Sequence, residues 1–236
     1  MQPCSHGDLL AEYRALGDDD KQLAAYLRTL IERYQMVTKI EPIFAKPASR
    51  KSRYVITDNF LAAWLAAIAR GVEKARIRPI DEAVVDVGTR LDTLEGFTFE
   101  KMVRALVEEA SRAGSSEFHL SEQVRGYWDK PNRGNASIEI DLIAFDEASR
   151  KVMFGSCKRN AKKFTDASLR LFRDHVSGFL RESAGTRFSE FSHGFALFAP
   201  TFLPEDRDAL HLAGFQCFDI GDLGAAVAPQ LFAARG

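Results

Sequence analysis

A hairpin pattern at residues 138–160, IEIDLIAFDEASRKVMFGSCKRN, carries the residue types best suited to chemistry. Successive residues of a strand point to opposite faces, so Glu139 shares a face with Asp141, and Ser156 shares a face with Lys158. Pairing of the strands across the turn DEASRK brings Asp141 close to Ser156 and Lys158. We therefore expect an acid, a hydroxyl and an ammonium group to converge on one face of a sheet.

This combination of groups favours phosphodiester hydrolysis assisted by Mg²⁺. The cation prefers carboxylate oxygens, polarises a phosphate and lowers the pKa of a bound water. A nearby lysine orients that water or stabilises charge that develops on the phosphate. The expected catalytic residues are Asp141, Lys158, Glu100 and Ser156, and the expected metal ligands are Asp141, Glu139 and Glu100, the last from a helix outside the sheet. The alternative is a cross-strand ion pair between Asp141 and Lys158 that only stabilises the sheet.

Two clusters of cations that contain no acid favour contact with DNA. KPASRKSR, residues 46–53, contains four cations, and RKVMFGSCKRNAKK, residues 150–163, contains six. In a chain of net charge −1, this separation from acids indicates phosphate contact. Solvated turns are the alternative. The expected DNA-binding residues are Lys46, Arg50, Lys51, Arg53, Arg159, Lys162 and Lys163.

Composition and motifs exclude several other classes of protein. No apolar run reaches the roughly 18 residues that a membrane helix needs. The N-terminus lacks the basic start and apolar core of a signal peptide, so we expect a cytoplasmic location. The three cysteines are far apart, which predicts no disulfide framework. No GxxxxGK[ST] motif is present, so the chain carries no recognisable nucleotide-binding loop.

The pattern before the hairpin predicts a DNA-binding domain followed by linking helices. Residues 1–57 read as two helices and two strands, VTKIEPIF and RYVITD, around a basic loop, which is the order of a winged helix with its first helix missing or very short. Residues 58–95 read as linking helices. The apolar residues Phe60, Trp64 and Leu65 predict that the first of them packs on both sides, and the second is expected to end at Gly96.

Residues 96–236 predict a second domain in the order α-β-β-β-α-β-α-β-α. In that order the stretch FHLSEQVRGYWDK is the first strand. Strands that alternate with helices after an opening hairpin predict a mixed sheet flanked by helices, an α/β/α sandwich.

Several stretches also carry a resemblance to known families. The hairpin resembles the PD-(D/E)XK nuclease superfamily, with Asp141 at the aspartate position and Lys158 at the lysine position. The stretches YVITDNFLAAWL, GFTFEKMVRALV, YWDK, IEIDLIAFD, FGSCKRN and GFALFAP occur in the order and spacing of the C-terminal region of archaeal-type, or DEXX-box, ATPases, over roughly residues 20–222. The resemblance implies a winged helix followed by a restriction-endonuclease-like domain, with an ATPase domain or subunit as partner.

The chain departs from that pattern at one position. The family pattern reads glutamate, cysteine, lysine where this chain has Ser156, Cys157 and Lys158. A serine hydroxyl is a neutral, weak ligand for Mg²⁺, so we expect weak metal binding unless Glu139 compensates. Three functions stay open: a DNA-binding, nuclease-like module with a degenerate metal site that serves an ATPase, an active Mg²⁺-dependent DNA endonuclease, or a protein-interaction domain that docks on an ATPase.

Overall fold

The computed structural model describes residues 3–17, 20–46, 51–129 and 137–228. The chain divides into two compact units, Met1–Thr98 and Phe99–Gly236. Within the described residues, the first unit contains a three-stranded antiparallel sheet and the second a five-stranded mixed sheet. The protein is therefore a mixed α/β protein, as the sequence predicts. No helix in these ranges is both long enough and apolar enough to cross a membrane.

The first unit begins with two helices and a small sheet. Its elements are β1 (Cys4–Ser5), α1 (His6–Ala15), α2 (Asp20–Arg28) with a π-helical turn at Thr29–Arg33, β2 (Val37–Ile40) and β3 (Arg53–Ile56). The strands lie in the order β1-β3-β2. Ser5 and Asp8 form a reciprocal capping box that starts α1. The predicted two helices followed by two strands are observed, whereas β1 was not predicted and residues 47–50 of the basic loop lie outside the described residues.

The helices after β3 expose the apolar residues that were predicted to be packed on both sides. These helices are α3 (Asn59–Ala63), a π-helical turn (Trp64–Ile68), α4 (Ala69–Ala75) and α5 (Ile80–Arg112). Phe60, Trp64 and Leu65 are exposed, whereas Ala67 and Gly71 are buried. A Cβ atom at position 71 would overlap the Val87 side chain. The small residues therefore form the inner face, because they allow the close approach of α4 and α5, and the large ones point outward.

The predicted end of a helix at Gly96 is wrong, because α5 continues through this residue to Arg112. A glycine inside a helix costs only about 1 kcal/mol relative to alanine. The residues after it keep helical bonding, and the Thr98 hydroxyl donates to the Leu94 carbonyl oxygen at 3.1 Å. Phe99 and Val103, in the following turns, are buried, and their burial stabilises the continued helix. A single glycine without a following proline or turn was insufficient to end the element.

The second unit follows the predicted order of elements. After the last turns of α5 come β4 (Arg125–Asp129), β5 (Ile138–Asp146), β6 (Lys151–Cys157), α6 (Asp166–Arg181), β7 (Ser192–Phe198), α7 (Pro204–Leu212), β8 (Gln216–Phe218) and α8 (Ile220–Val227). The strands lie in this order across the sheet. Strands β4, β5 and β6 are antiparallel neighbours, and β6, β7 and β8 are parallel. The mixed sheet predicted from the alternation of strands and helices is confirmed.

Helices pack on both faces of this sheet. On one face, buried residues of α5 and α8 form a core with alternate residues of β5 to β8, including Val103, Leu142, Phe198 and Leu223. On the other face, α6 presents aromatic side chains to the intervening strand residues. The ring of Phe154 lies 5.9 Å from that of Phe179. The hairpin of β5 and β6 is thus held between two helical layers.

Strand β4 is shorter than the sequence predicts. The segment before it, residues 118–124, was expected to be part of the strand. The Ser121 N–H does bond to the Phe145 carbonyl oxygen of β5 at 2.9 Å, but two other backbone amides bond to side chains of α5 instead. Ser111 Oγ accepts from the Leu120 N–H at 3.1 Å, and Glu108 Oε1 accepts from the Val124 N–H at 2.8 Å. These side-chain acceptors replace the ladder partners that a longer strand would need.

Two glycine substitutions test this packing. A Cβ at position 185 would lie 2.6 Å from the carbonyl carbon of Phe179, whereas a Cβ at position 96 meets no atom within 4 Å. We expect Gly185→Ala to destabilise the protein by about 1–3 kcal/mol, since the clash is with backbone. Gly96→Ala should stabilise it by about 0.5–1 kcal/mol by favouring the helix. Urea unfolding followed by circular dichroism measures both, and effects of the same sign would contradict the described backbone.

Candidate functional site

The Asp141 carboxylate lies where β5 and β6 separate. The paired register of the two strands ends at Leu142 and Gly155, although β6 continues to Cys157. The Cys157 N–H donates to Asp141 Oδ2 at 2.8 Å, and the Ser156 hydroxyl donates to the same oxygen at 3.1 Å. The Asp141 carboxylate thus accepts the Cys157 N–H in place of the backbone carbonyl that a continued ladder would supply. The expected proximity of Asp141 and Ser156 is observed.

Arg104 holds the Asp141 backbone from α5. Its Nη1 donates to the Asp141 carbonyl oxygen at 2.6 Å and lies 3.9 Å from Glu100 Oε2. Glu100 and Arg104 are four residues apart and therefore share a face of α5. This arrangement brings Glu100 into the electrostatic environment of Asp141, as the sequence predicts. Arg104 was missed, although its spacing from Glu100 was the available signal.

The two carboxyl groups resist ionisation. Burial, and after it the negative charge of Asp141, together raise the pKa of Glu100 to about 8, although Arg104 opposes the change. Burial also raises the pKa of Asp141, against the lowering effects of the Cys157 N–H, the Lys158 ammonium and the Ser156 hydroxyl. The charged form of Glu100 is therefore disfavoured near neutral pH, which weakens this carboxyl group as a metal ligand.

A cavity of about 160 Å³ opens between this group and α6. Its polar wall contains four of the predicted site residues, and its other wall is largely apolar. The lining residues are Glu139, Asp141, Ser156, Lys158, Phe164, Ser168, Leu169, Leu171, Phe172, His175 and Leu197. The acid, the hydroxyl and the lysine that strand alternation predicted to share one face thus line one cavity. Glu100 approaches the Asp141 carboxylate from α5.

His175 is a member of this cavity that the sequence analysis did not identify. Its Nδ1 lies 2.8 Å from the Glu139 carbonyl oxygen, so Nδ1–H donates to that carbonyl. In the neutral ring this tautomer leaves Nε2 as an acceptor. His175 follows Ser168 by seven residues and Phe172 by three, so the three share one face of α6. That helical spacing could have identified the cavity face of α6.

The predicted DNA-binding cations lie in separate parts of the chain. Arg159, Lys162 and Lys163 are exposed in the segment directly after β6. Asn160 Oδ1 accepts from the Lys162 N–H at 2.9 Å and so starts a 3₁₀ turn at Ala161–Lys163. Within the described ranges, Lys162 and Lys163 form no ion pair.

The other cluster belongs to the first unit. There, Lys46 is exposed, while Lys51 and Arg53 are half-buried. Arg50 lies outside the described residues.

The donor set is incomplete for Mg²⁺. In the described part of the chain, no group of three or more His, Cys, Asp or Glu side chains is arranged to hold a metal ion. Asp141 Oδ2 already accepts two hydrogen bonds, and Ser156 supplies a neutral hydroxyl. Cys157 points into the core on the opposite face, where burial raises the pKa of its thiol well above the usual value. Magnesium as a cofactor therefore stays a prediction.

One protein family and one individual protein are similar to this chain. The DUF234 family, described as archaea bacterial proteins of unknown function, matches residues 64–169. An uncharacterized protein of Methanocaldococcus jannaschii is 31% identical over 166 residues, which cover 67% of this chain and 34% of that protein. The chain thus spans about a third of the length of this relative. The segment that matches the family contains Glu100, Asp141, Ser156 and Lys158.

The raised pKa of Glu100 predicts a pH-dependent effect of Glu100→Gln. Because the folded state holds this proton more tightly, its stabilising effect is complete below the unfolded pKa near 4.5 and is lost as the pH rises through about 8. The variant stays neutral, so its stability relative to the wild type should increase over this range. One pKa unit corresponds to about 1.4 kcal/mol, and after solvent relaxation we expect a gain on the order of 2 kcal/mol.

Melting temperatures of both proteins at about pH 5 and about pH 9 measure this difference. Glu109→Gln is the matched control, because it removes an acid from an exposed position of the same helix. Subtracting the pH-dependent change in melting temperature of Glu109→Gln from that of Glu100→Gln isolates the effect of Glu100. A Glu100→Gln difference that does not change with pH would show that Glu100 is not held in a charge-repelling environment.

Proposed function

We propose that this chain is a cytoplasmic DNA-binding module that combines a winged-helix-like first unit with a restriction-endonuclease-like second unit. In this proposal the metal site of the second unit is degenerate. The observation that carries it is the hydrogen bond from the Ser156 hydroxyl to Asp141, at the position where the resembled pattern has a glutamate. A hydroxyl that donates to the acid has replaced a second acid that would have shared a cation with it.

The fold supports this assignment of the second unit. A helix leads into three antiparallel strands, and β5 and β6 carry Asp141 and Lys158 at one open end of the sheet. The PD-(D/E)XK resemblance requires this order and this juxtaposition of acid and lysine. Glu100, on the helix that precedes the strands, is placed to supply a further acidic side chain near Asp141. The resemblance therefore agrees with the geometry at Asp141, Lys158 and Glu100, and departs at Ser156.

Charge at the mouth of the cavity supports DNA as the partner. Lys158 lines the cavity, and Arg159, Lys162 and Lys163 extend the positive charge onto the surface after β6. Flexible cations on a turn suit phosphates, which are present at every step of a nucleic acid and carry no sequence information. We therefore propose binding that is largely independent of sequence and strongly dependent on salt.

The first unit supports association with a second protein, proposed as an ATPase domain or subunit. Large apolar side chains of residues 60–85 have exposed fractions between 42% and 84%. These are Phe60, Trp64, Leu65, Val72, Ile77, Ile80, Val84 and Val85. Large exposed apolar patches mark protein interfaces, and in this proposal these side chains contribute to one. The ATPase itself is suggested by the resemblance, and about two thirds of the Methanocaldococcus jannaschii relative has no counterpart in the matched segment.

An active Mg²⁺-dependent endonuclease is the second candidate. The proximity of Glu139 and Glu100 to Asp141 favours it, because a bound cation would lower the raised pKa of Glu100 and draw both acids in as ligands. The third candidate, a protein-interaction domain that never contacts DNA, is favoured only by the exposed apolar helices. Cleavage separates the second candidate from the proposal, and DNA binding separates the third.

Charge reversal of the surface cations tests the DNA interface. For the wild type we expect a linear decrease of log affinity with log salt. Lys162→Glu with Lys163→Glu should reduce the magnitude of that slope by about 0.9 for each phosphate contact that is lost. Fluorescence anisotropy of a labelled duplex at several salt concentrations measures the slope.

The matched control reverses two cations at the far ends of elements of the same unit, Lys151→Glu with Arg181→Glu. Lys151 falls within residues 150–163, but β6 separates it from the cations after the strand, and it is not among the expected DNA-binding residues. Lys151 begins β6 and Arg181 ends α6, so both lie one element length from the segment after β6. The two double variants change the net charge equally. Equal slopes in both variants would show that the segment after β6 makes no specific phosphate contact, and an absence of binding by the wild type would favour the protein-interaction candidate.

Restoring a carboxylate at position 156 tests the degenerate site. We expect Ser156→Glu to bind Mg²⁺ at least tenfold more tightly than the wild type, because the strand already directs this position at Asp141 and the adjacent cavity offers space. The added acid supplies the negative oxygen that a small hard cation requires. The Mg²⁺-dependent increase in melting temperature measures the affinity through the linkage of binding to stability.

Ser156→Gln is the control, since it has the same size without the charge. It should show no gain, and Asp141→Ala added to Ser156→Glu should abolish the gain. If Ser156→Glu remains folded and binds Mg²⁺ no better than Ser156→Gln, the pocket differs from a metal site by more than one residue. Robust Mg²⁺-dependent cleavage by the wild type would instead assign the protein to the second candidate.

A further inference from the structure

An aromatic stack borders the cavity beside the surface cations. Phe164 lines the cavity and directly follows Lys163 in the chain. Its ring is stacked on that of Phe202, with centroids 6.1 Å apart and planes inclined by 12°. The guanidinium carbon of Arg207 lies 5.6 Å from the centroid of Phe202. Phe202 thus contacts two planar groups, the Arg207 guanidinium and the Phe164 ring, and Phe164 is the one that lines the cavity.

Ion pairs and hydrogen bonds fix the Arg207 guanidinium beside Phe202. Arg207 donates to Asp219 Oδ2 at 2.6 Å, to Asp222 Oδ2 at 2.9 Å and to the Cys217 carbonyl oxygen at 3.2 Å. These bonds tie the guanidinium to β8 and to the first turn of α8. A planar group held in this way gives Phe202, and through it Phe164, a defined orientation before any ligand binds. Preorganisation of this kind lowers the entropic cost of binding.

The cavity itself suits one small planar group. Its volume of about 160 Å³ is below the roughly 300–1,000 Å³ of pockets that take drug-sized ligands. Phe164, Leu171 and Phe172 form apolar surface on one side, and Ser156 and Lys158 offer polar groups on the other. A nucleobase has this character, because its faces are apolar and its edges are polar. A base within a duplex is covered by its neighbours and has no face available for stacking.

We propose that the cavity receives one unstacked nucleobase of single-stranded DNA, with its face on Phe164 and the flanking phosphates on Lys162 and Lys163. This inference rests on the proposed DNA binding and adds the substrate class: a single strand or a frayed end in place of an intact duplex. Stacking of bases on aromatic side chains is tolerant of sequence, which agrees with a cation cluster that reads only phosphates.

Substitutions of Phe164 test the stack with two probes, a labelled single-stranded oligonucleotide and a blunt hairpin duplex of equal phosphate number. Phe164→Ala and Phe164→Leu should weaken single-strand binding about tenfold, since the aromatic face is lost. Phe164→Tyr keeps the ring and should bind within about twofold of the wild type. Leu212→Ala is the control, because Leu212 is 92% exposed on α7 and does not line the cavity.

The duplex and the salt slope separate this inference from the proposed function. Duplex binding and the salt slope should be unchanged in all four variants, because the phosphate contacts remain. Circular dichroism and melting curves establish that each variant is folded, and Phe164→Leu preserves apolar contact with Phe202 if Phe164→Ala does not fold. An equal loss of affinity for duplex and single strand, or no loss of single-strand affinity with Phe164→Leu, overturns the stacking site. In either case, salt-dependent binding by the wild type still supports the proposed function. No binding of either probe by the wild type overturns both.

Discussion

The carboxylate of Asp141 organises the second unit at the point where β5 and β6 part. It accepts the Cys157 N–H, which a continued ladder would have paired with backbone, and it accepts the Ser156 hydroxyl. Arg104 engages the carbonyl oxygen of the same residue. The strands can separate here without leaving a buried amide unpaired. The separation creates the space that Ser156 and Lys158 line against α6.

The same interaction explains why a serine is compatible with this site. A buried carboxylate needs compensation, from a cation, from a lysine or from hydrogen-bond donors. Ser156 and Cys157 supply donors, and Lys158 supplies charge, so groups of the chain itself offset part of the effect of burial on the pKa of Asp141, which stays raised. In the resembled nuclease pattern, two acids side by side would leave negative charge that a metal must neutralise. In the proposed function, replacement of one acid by a donor would convert a site that demands a cation into one that needs a cation less.

Local sequence patterns predicted the parts of the structure that depend on short-range geometry. Strand alternation placed Asp141, Ser156 and Lys158 together, because side-chain direction has a period of two residues. The order of helices and strands in the second unit followed from periodicity and turn residues. Predictions failed where tertiary contacts decided the outcome. Helix α5 passes Gly96 because of burial beyond it, and α3 and α4 present their small residues inward because of close packing near Val87.

The residues missed at the site belong to elements far away in the sequence. Arg104 and His175 contact the backbone of β5 from two different helices. Phe164 gains its role from Phe202, which lies 38 positions later in the chain. Spacing within a helix identifies a shared face, but only the packing of that helix on the sheet shows which residues the face meets. The polar groups of the hairpin were therefore predictable, and the apolar half of the cavity was not.

The central claim is that the site binds DNA through cations of the chain and does not require a metal. The most direct measurement compares binding and integrity of a labelled oligonucleotide with the wild-type protein in EDTA and in Mg²⁺, at matched ionic strength. We predict equal affinity in the two buffers and intact DNA in both, because Lys158 and the exposed cations after β6 supply the positive charge. Binding that appears only with Mg²⁺, or DNA that is cut in its presence, would contradict this account.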